Sequence, residues 1–343
     1  MYLAKDILNR YTLEVEATIQ QLLAETLPFL RGTSRYHLGL VDRDFQPLDN
    51  GRGKMLRPTL HLLVFEAICG NYQAALPVAA ALELIHSFSL VHDDVEDNGL
   101  ERRGRATVWT IWGKERTINI GDFLFALAFK ALHQLDLTQF SPQTVIEVSR
   151  LVSGACVALT EGQELDMSFE TGLDISVEMY LDMIYRKTGA LIEASVLSGA
   201  KLATSDPQVI AAYHMFGRNI GLAFQVRDDI LGIWGDTHQT GKSVSDDLRH
   251  KKKTLPIIYA FSQLTGERGE KFRAMYAQPN PLTDSEIEFV RDSLTVIQAE
   301  AYTQKIATQY HEQAFIALHQ VKLVNEAQAQ LEALALFLVN RTY

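Results

Sequence analysis

Along nearly the whole chain, apolar residues return at intervals of three and four, while alternating β-branched runs flanked by hairpin signals are almost absent. Such a sequence buries its apolar residues as helix stripes, so the fold is predicted to be all-α. Helix starts are marked by Ser141-Pro142 and Asp206-Pro207, each a capping side chain followed by proline where its missing N–H costs nothing. Thr283 with Glu286 suits a capping box. Helices are expected near 4–30, 55–69, 77–97, 117–135, 142–169, 176–201, 207–234, 254–264, 284–294 and 296–340. Two polar stretches, 31–53 and 235–253, read as long surface connections, and loops of that length are often functional. With no repeat and no low-complexity linker, residues 1–343 are expected to form one domain.

Several functions are disfavoured by composition. The formal net charge of -10 opposes a nucleic-acid footprint, so phosphate chemistry has to be local. Cys69 and Cys156 match no metal or disulfide spacing and read as small core residues, with a reducing cytoplasm as the default. The first 25 residues lack the apolar region of a signal peptide, and no run of about 18 apolar residues is seen as a membrane span.

Charge is concentrated in His92-Asp93-Asp94-Val95-Glu96-Asp97, four carboxylates in six positions directly after an apolar helical run. In a helix Asp93 and Asp97 lie one turn apart on one face. Hard oxygen ligands so spaced suit Mg2+, which keeps several waters and is readily shared with substrate phosphates. A solvated acidic helix end is the plainer alternative, and against it stands the apolar run, which would aim the pair from the core. Asp228 and Asp229 follow a second apolar helical segment. If the two helices faced each other, their carboxylates would repel unless cations lay between them, and such a metal cluster needs an anion to complete it. Basic residues stand in GRGKMLRP, ERRGR, RKTG, TGKS and HKKKTLP, although any one of them alone is usually a surface charge.

Taken in order, GRGKMLRP, ELIHSFSLVHDDVEDNGLERRGRATVW, GQELD, KTGAL, FQVRDDILGIWGD and GKSVSDDLRHKKKTLP resemble the motifs of the trans-isoprenyl diphosphate synthases, the polyprenyl synthetase family, over about residues 35–260. The resemblance implies an isoprenoid-synthase fold of antiparallel helices around a deep cavity, usually as a homodimer, with three Mg2+ ions bridging an allylic diphosphate. It implies Asp93 and Asp97 as ligands of two ions and Asp228 of the third, with Asp229 also counted among the metal residues. Lys54, Arg57, His86 and Arg103 match the isopentenyl diphosphate site. Arg102, Lys187, Lys242 and Lys252 match groups on the allylic diphosphate, and Thr188 and Gln225 match polar groups lining the reaction centre.

The chain departs from the family pattern in three places. Gly232 stands where a third aspartate is usual, and Asp236 is a candidate to contribute through water. Met55 replaces a common basic residue, and Lys251 a common glycine. The resemblance implies a chain-elongating prenyltransferase. Alternatives are a terpene synthase, which would not need the Lys54, Arg57, His86 and Arg103 set, and a noncatalytic partner subunit, which typically loses the first aspartate motif. Phe88, five positions before Asp93, is expected to floor the product cavity beside the small Ser89, with Ile85 and Leu84 deeper, unless it is ordinary core packing. A bulky aromatic there, with no two-residue insertion in the first motif, resembles the archaeal-type geranylgeranyl diphosphate synthases, and the resemblance implies geranylgeranyl diphosphate as product, then the farnesyl compound, then longer chains.

Overall fold

The computed structural model describes residues 2–48, 53–235 and 246–340, and the expected all-α character holds among them. The helices are α1 (Ala4–Asn9), α2 (Thr12–Leu23), α3 (Pro28–His37), α4 (Leu56–Cys69), α5 (Leu76–Glu96), α6 (Val108–Trp112), α7 (Lys114–Leu132), α8 (Pro142–Thr171), α9 (Val177–Ile184), α10 (Ala190–Ala203) and α11 (Pro207–Trp234). They continue with α12 (Asp246–Arg249), α13 (Leu255–Gln263), α14 (Gly266–Ala277), α15 (Asp284–Val296), α16 (Ala299–Gln320) and α17 (Glu326–Asn340). A π turn, Tyr185–Gly189, separates α9 from α10. One short antiparallel hairpin pairs β1 (Glu101–Arg102) with β2 (Arg105–Ala106).

Helix starts follow the sequence signals. Pro142 and Pro207 open α8 and α11, Ser141 Oγ accepts from the Thr144 N–H, and the Thr283/Glu286 box is complete. Boundaries differ where the chain breaks between apolar stripes. The stretch 4–30 divides at residues 10–11 and at Pro28, which starts α3. The stretch 296–340 is interrupted after Gln320, where Lys322 takes a positive φ of 57°. α14 was not foreseen, because its mixed polar sequence carries only a few buried residues, Phe272, Met275 and Tyr276 among them.

By its contacts the chain forms two compact units. The first comprises Met1–Ser153, Ser195–Asp206 and Leu323–Leu331, and the second Gly154–Ala194, Pro207–Lys322 and Glu332–Tyr343. In the first, α5 packs against α2, α4 and α7. Val78 to Leu82, Leu84 and Ile85 are all fully buried or nearly so, as a helix apolar on every side requires. Residues 73–96 are by length and composition apolar enough to cross a membrane, but most of this stretch is buried in protein, as in a core helix. In the second unit α11 packs against α16 and the π turn. Its core joins Val226, Ile230 and Ile233 to Leu255, Ile258, Phe261, Phe272, Val290 and Leu294. Lys253 Nζ donates to the carbonyls of Phe169 (2.5 Å), Glu170 (2.8 Å) and Gly172, satisfying acceptors at the end of α8 that have no helical partner.

Candidate functional site

Asp93 and Asp97 sit in the last turn and at the C-cap of α5, and the Asp97 N–H donates to the Asp93 carbonyl at 2.8 Å. That is the negative end of the helix dipole, where a carboxylate is disfavoured and a lysine or arginine would stabilise. No basic residue lies in that last turn. The arrangement therefore costs stability, which a cation bound from outside the helix would recover. Asp94 points the other way. It is 3% exposed and accepts from Arg102 Nε at 2.8 Å, which leaves Oδ2 without a hydrogen-bond partner among the described residues.

Arg102 comes from the hairpin that follows. Arg103 and Gly104 form its two-residue tip with positive φ of 54° and 69°, the combination that a type I′ turn needs. The tip turns Arg102, Arg103 and Arg105 toward one small pocket lined also by Tyr36, His37 and Asp94. Arg105 is locked by the carbonyls of Tyr36 (2.9 Å) and Val41 (2.8 Å) and lies 4.0 Å over the Tyr36 ring. Gly53 makes room for Arg103, since a Cβ there would come within 2.8 Å of the guanidinium.

Around Arg103 the charges are matched only in part. Burial first, then Arg57 and Arg103, holds the His86 imidazole well below its ordinary pKa, and burial with the nearby arginines pushes His37 down to about 3. Both rings are neutral near pH 7. Glu83, 4% exposed, is the acid facing Arg57 and Arg103, and burial lifts it to about 7. The sequence reading missed Glu83 and His37, which carry no local signal beyond a polar residue in a helix, and gave Asp94, though it lies within the acidic cluster, no role of its own. The pattern also departs at Met55 for a structural reason: its side chain is 4% exposed and its backbone is left-handed, φ 49°, at the start of α4.

In the second unit, Asp228 and Asp229 lie near the C-terminal end of α11, again without a basic residue in the last turn. These neighbours have different fates. Asp228 is half-buried, whereas Asp229 is 2% exposed and accepts from Tyr180 Oη at 2.6 Å, from the Leu255 N–H at 3.1 Å and more weakly from Gln225 Nε2 at 3.4 Å. Burial lifts Asp229 to about 6, against the pull of those donors. Lys187 Nζ donates to Asp166 at 2.5 Å, and Thr188 Oγ1 to Gln225 Oε1 at 3.0 Å. Burial would lower the Lys252 pKa, but the fields of Asp247, Asp229, Asp166 and Asp228 outweigh it and the net shift is upward. Gly232 has a local explanation as well, because a Cβ there would lie 2.3 Å from Asp247 Oδ2. Asp247 thus holds the space that a side chain at 232 would need. Asp236 and Lys242 lie outside the described residues.

Among the described residues no three His, Cys, Asp or Glu side chains meet as a ready-made metal site. The oxygen donors present fit a small hard cation that keeps its water and takes further ligands from phosphate, and not a closed protein cage.

The sequence pattern of the family described as polyprenyl synthetase matches residues 41–294. The chain belongs to the polyprenyl synthetase family. It is 35% identical over 347 residues to the (2E,6E)-farnesyl diphosphate synthase of Mycobacterium tuberculosis, covering 98% of this chain and 95% of that protein. The solved geranylgeranyl pyrophosphate synthetase of Pyrococcus horikoshii superposes with a TM-score of 0.87 at 32% identity, covering 98% of each chain. A polyprenyl synthase of Caulobacter crescentus, solved with calcium and isoprenyl diphosphate, gives 0.82 at 29% identity and covers 98% of each chain. As a member of this family the chain has the isoprenoid-synthase fold and is a trans-prenyltransferase of the short-chain type. The family works with a divalent metal.

Proposed function

We propose that this polyprenyl synthetase elongates allylic diphosphates with isopentenyl diphosphate, as one synthase domain over 1–343, and releases mainly geranylgeranyl diphosphate. The observation that carries elongation, over internal quenching of the cation, is the basic pocket of the first unit. Arg103 and Arg105 line it, the fields of Arg57 and Arg103 reach His86, and a terpene synthase has no second diphosphate to hold. Lys54, Arg57 and Arg103 carry the charge that binds the isopentenyl diphosphate, and neutral His86 can donate a hydrogen bond without adding repulsion. Retention of Asp93 and Asp97 speaks against a noncatalytic subunit.

Asp93, Asp97 and Asp228 are the residues we assign to Mg2+, with three ions expected once substrate is bound and Asp236 assisting. Asp229 is then a positioning residue for its neighbour, because its Oδ2 is already engaged by both Tyr180 and Leu255 and its Oδ1 faces Gln225 Nε2 at 3.4 Å. The bound metal supplies charge that stabilises pyrophosphate as it leaves. Arg102, Lys187, Lys242 and Lys252 orient the allylic diphosphate and favour the same charge build-up. Thr188 and Gln225 line the reacting carbons. The C–O bond breaks with its electron pair going to pyrophosphate, the terminal alkene carbon of isopentenyl diphosphate attacks the allylic cation, and the proton lost from that adduct passes to pyrophosphate. No protein nucleophile is needed.

Support for a C20 product comes from Phe88, which is 7% exposed and meets Phe125 of α7 edge to face at 4.9 Å, with Ile85 and Leu84 fully buried beyond it. The C15 product is the alternative that the mycobacterial relative's name favours. Pure protein incubated with Mg2+, isopentenyl diphosphate and each allylic diphosphate from C5 to C20 should yield mainly C20, and Phe88→Ala should lengthen the main product by at least one C5 unit. No product beyond C15 would overturn the assignment, and an unchanged distribution in the variant would remove Phe88 from the floor. Exposed Ile118 and Phe125 on α7 support a homodimer, and we place the enzyme in the cytoplasm.

A further inference from the structure

Residues 185–189 form a π turn between two α-helices, a geometry that is rarely stable by itself and often marks a functional site. Here every position is held from outside. Tyr185 Oη donates to Glu193 (2.9 Å), Arg186 pairs with Glu161 and Asp182, Lys187 with Asp166, Thr188 with Gln225, and Gly189 touches Gly221. The closest approaches are main chain to main chain. A Cβ on Gly162 of α8 would lie 2.2 Å from Lys187 N, 2.6 Å from Lys187 Cα and 2.7 Å from Arg186 C. A Cβ on Gly221 of α11 would lie 2.9 Å from Gly189 Cα and 3.1 Å from its oxygen. No rotamer change relieves a clash with backbone, so the turn would have to move. The side-chain partners repeat this pattern. Asp166 stands four residues after Gly162, and Gln225 four after Gly221, so each helix touches the turn at a glycine and binds its Lys or Thr one turn later.

We propose that Gly162 and Gly221 are positioning residues that seat the π turn between α8 and α11 and thereby aim Lys187 and Thr188. The inference rests on the reading that those two side chains act on the allylic diphosphate. It gives the glycine of GQELD a reason that no hydrogen bond supplies.

The test is a set of double-mutant cycles on the Mg2+-loaded enzyme: G162A with K187A, and G221A with T188A, reading kcat and both KM values, with melting curves to confirm folding. G162A should lower kcat by about tenfold or more, as misplacement of a reacting group does. The KM for isopentenyl diphosphate should change less than about twofold, since that substrate is bound elsewhere. In the K187A background the same substitution should cost no more than about twofold, because the group it misplaces is gone. G221A should behave likewise against T188A, and its milder clash carries the test if G162A does not fold. Full additivity in both cycles overturns the inference while an impaired K187A leaves the reading of Lys187 standing. A fully active K187A overturns that reading and the inference with it.

Discussion

Glutamine in place of Glu83 changes one atom of the carboxyl group and removes the titration that dominates the basic pocket near neutral pH. Glu83 rises from 4.5 in the unfolded chain to about 7, chiefly by burial, with Arg57 and Arg103 pulling it back and Glu16 adding to the rise. A carboxyl whose folded pKa is raised favours folding while protonated, and that stability is lost as pH climbs through the folded pKa. At about 1.36 kcal/mol per pKa unit, the whole loss is about 3 kcal/mol, of which about 2.5 kcal/mol falls between pH 5 and pH 8.5. The neighbours do not blur the window. Arg57, pushed down to about 10 by burial, stays charged throughout, and His37, pushed down to about 3, stays neutral. Urea unfolding of wild type and E83Q at the two pH values should therefore show the difference moving in favour of E83Q by about 2.5 kcal/mol on going to pH 8.5. A constant difference, or one moving toward wild type, would mean that the arginines hold Glu83 as an ion and that burial is not the larger effect.

Gly232→Asp would set two carboxylates against each other at Asp247, a repulsion of about 1 to 4 kcal/mol depending on local screening. Metal-free G232D should melt lower than wild type and recover in G232D/D247N, and an unshifted melt would show that Asp247 swings clear. Tyr180→Phe removes the hydroxyl donor to buried Asp229 and should cost about 1.5 to 3 kcal/mol in denaturant unfolding at pH 8, where that carboxylate is ionised. A loss below 0.5 kcal/mol would be too small for a charge-assisted bond. Lys253→Met leaves the carbonyls of Phe169, Glu170 and Gly172 without their ammonium donor, so amides in the last turn of α8 should exchange faster while those in α5 keep their protection. Unchanged protection in the last turn of α8 would show that water replaces the lysine freely.

The sequence by itself determined the features that depend on neighbours along the chain. Apolar spacing fixed the helical class, Pro142, Pro207 and the Thr283/Glu286 box located helix starts, and the four-residue step from Asp93 to Asp97 put both carboxylates at one helix end. The ordered motifs were enough to indicate the family. What tertiary structure decided is which of several like residues does what. Asp228 and Asp229 are adjacent and chemically identical, and only the arrival of Tyr180 and the Leu255 N–H, from 49 and 26 positions away, buries one and leaves its neighbour half-open. Lys252 and Lys253 divide in the same way, one among carboxylates and the other capping α8. Gly232 looked like a lost aspartate until Asp247 was found in its space, and Gly162 had no meaning before the backbone of Lys187 was seen against it. Periodicity and capping are local and repeat within a few residues, so a single sequence displays them. Desolvation, close backbone approach and the choice of hydrogen-bond partner arise between segments far apart in the chain, and they exist only once it has folded.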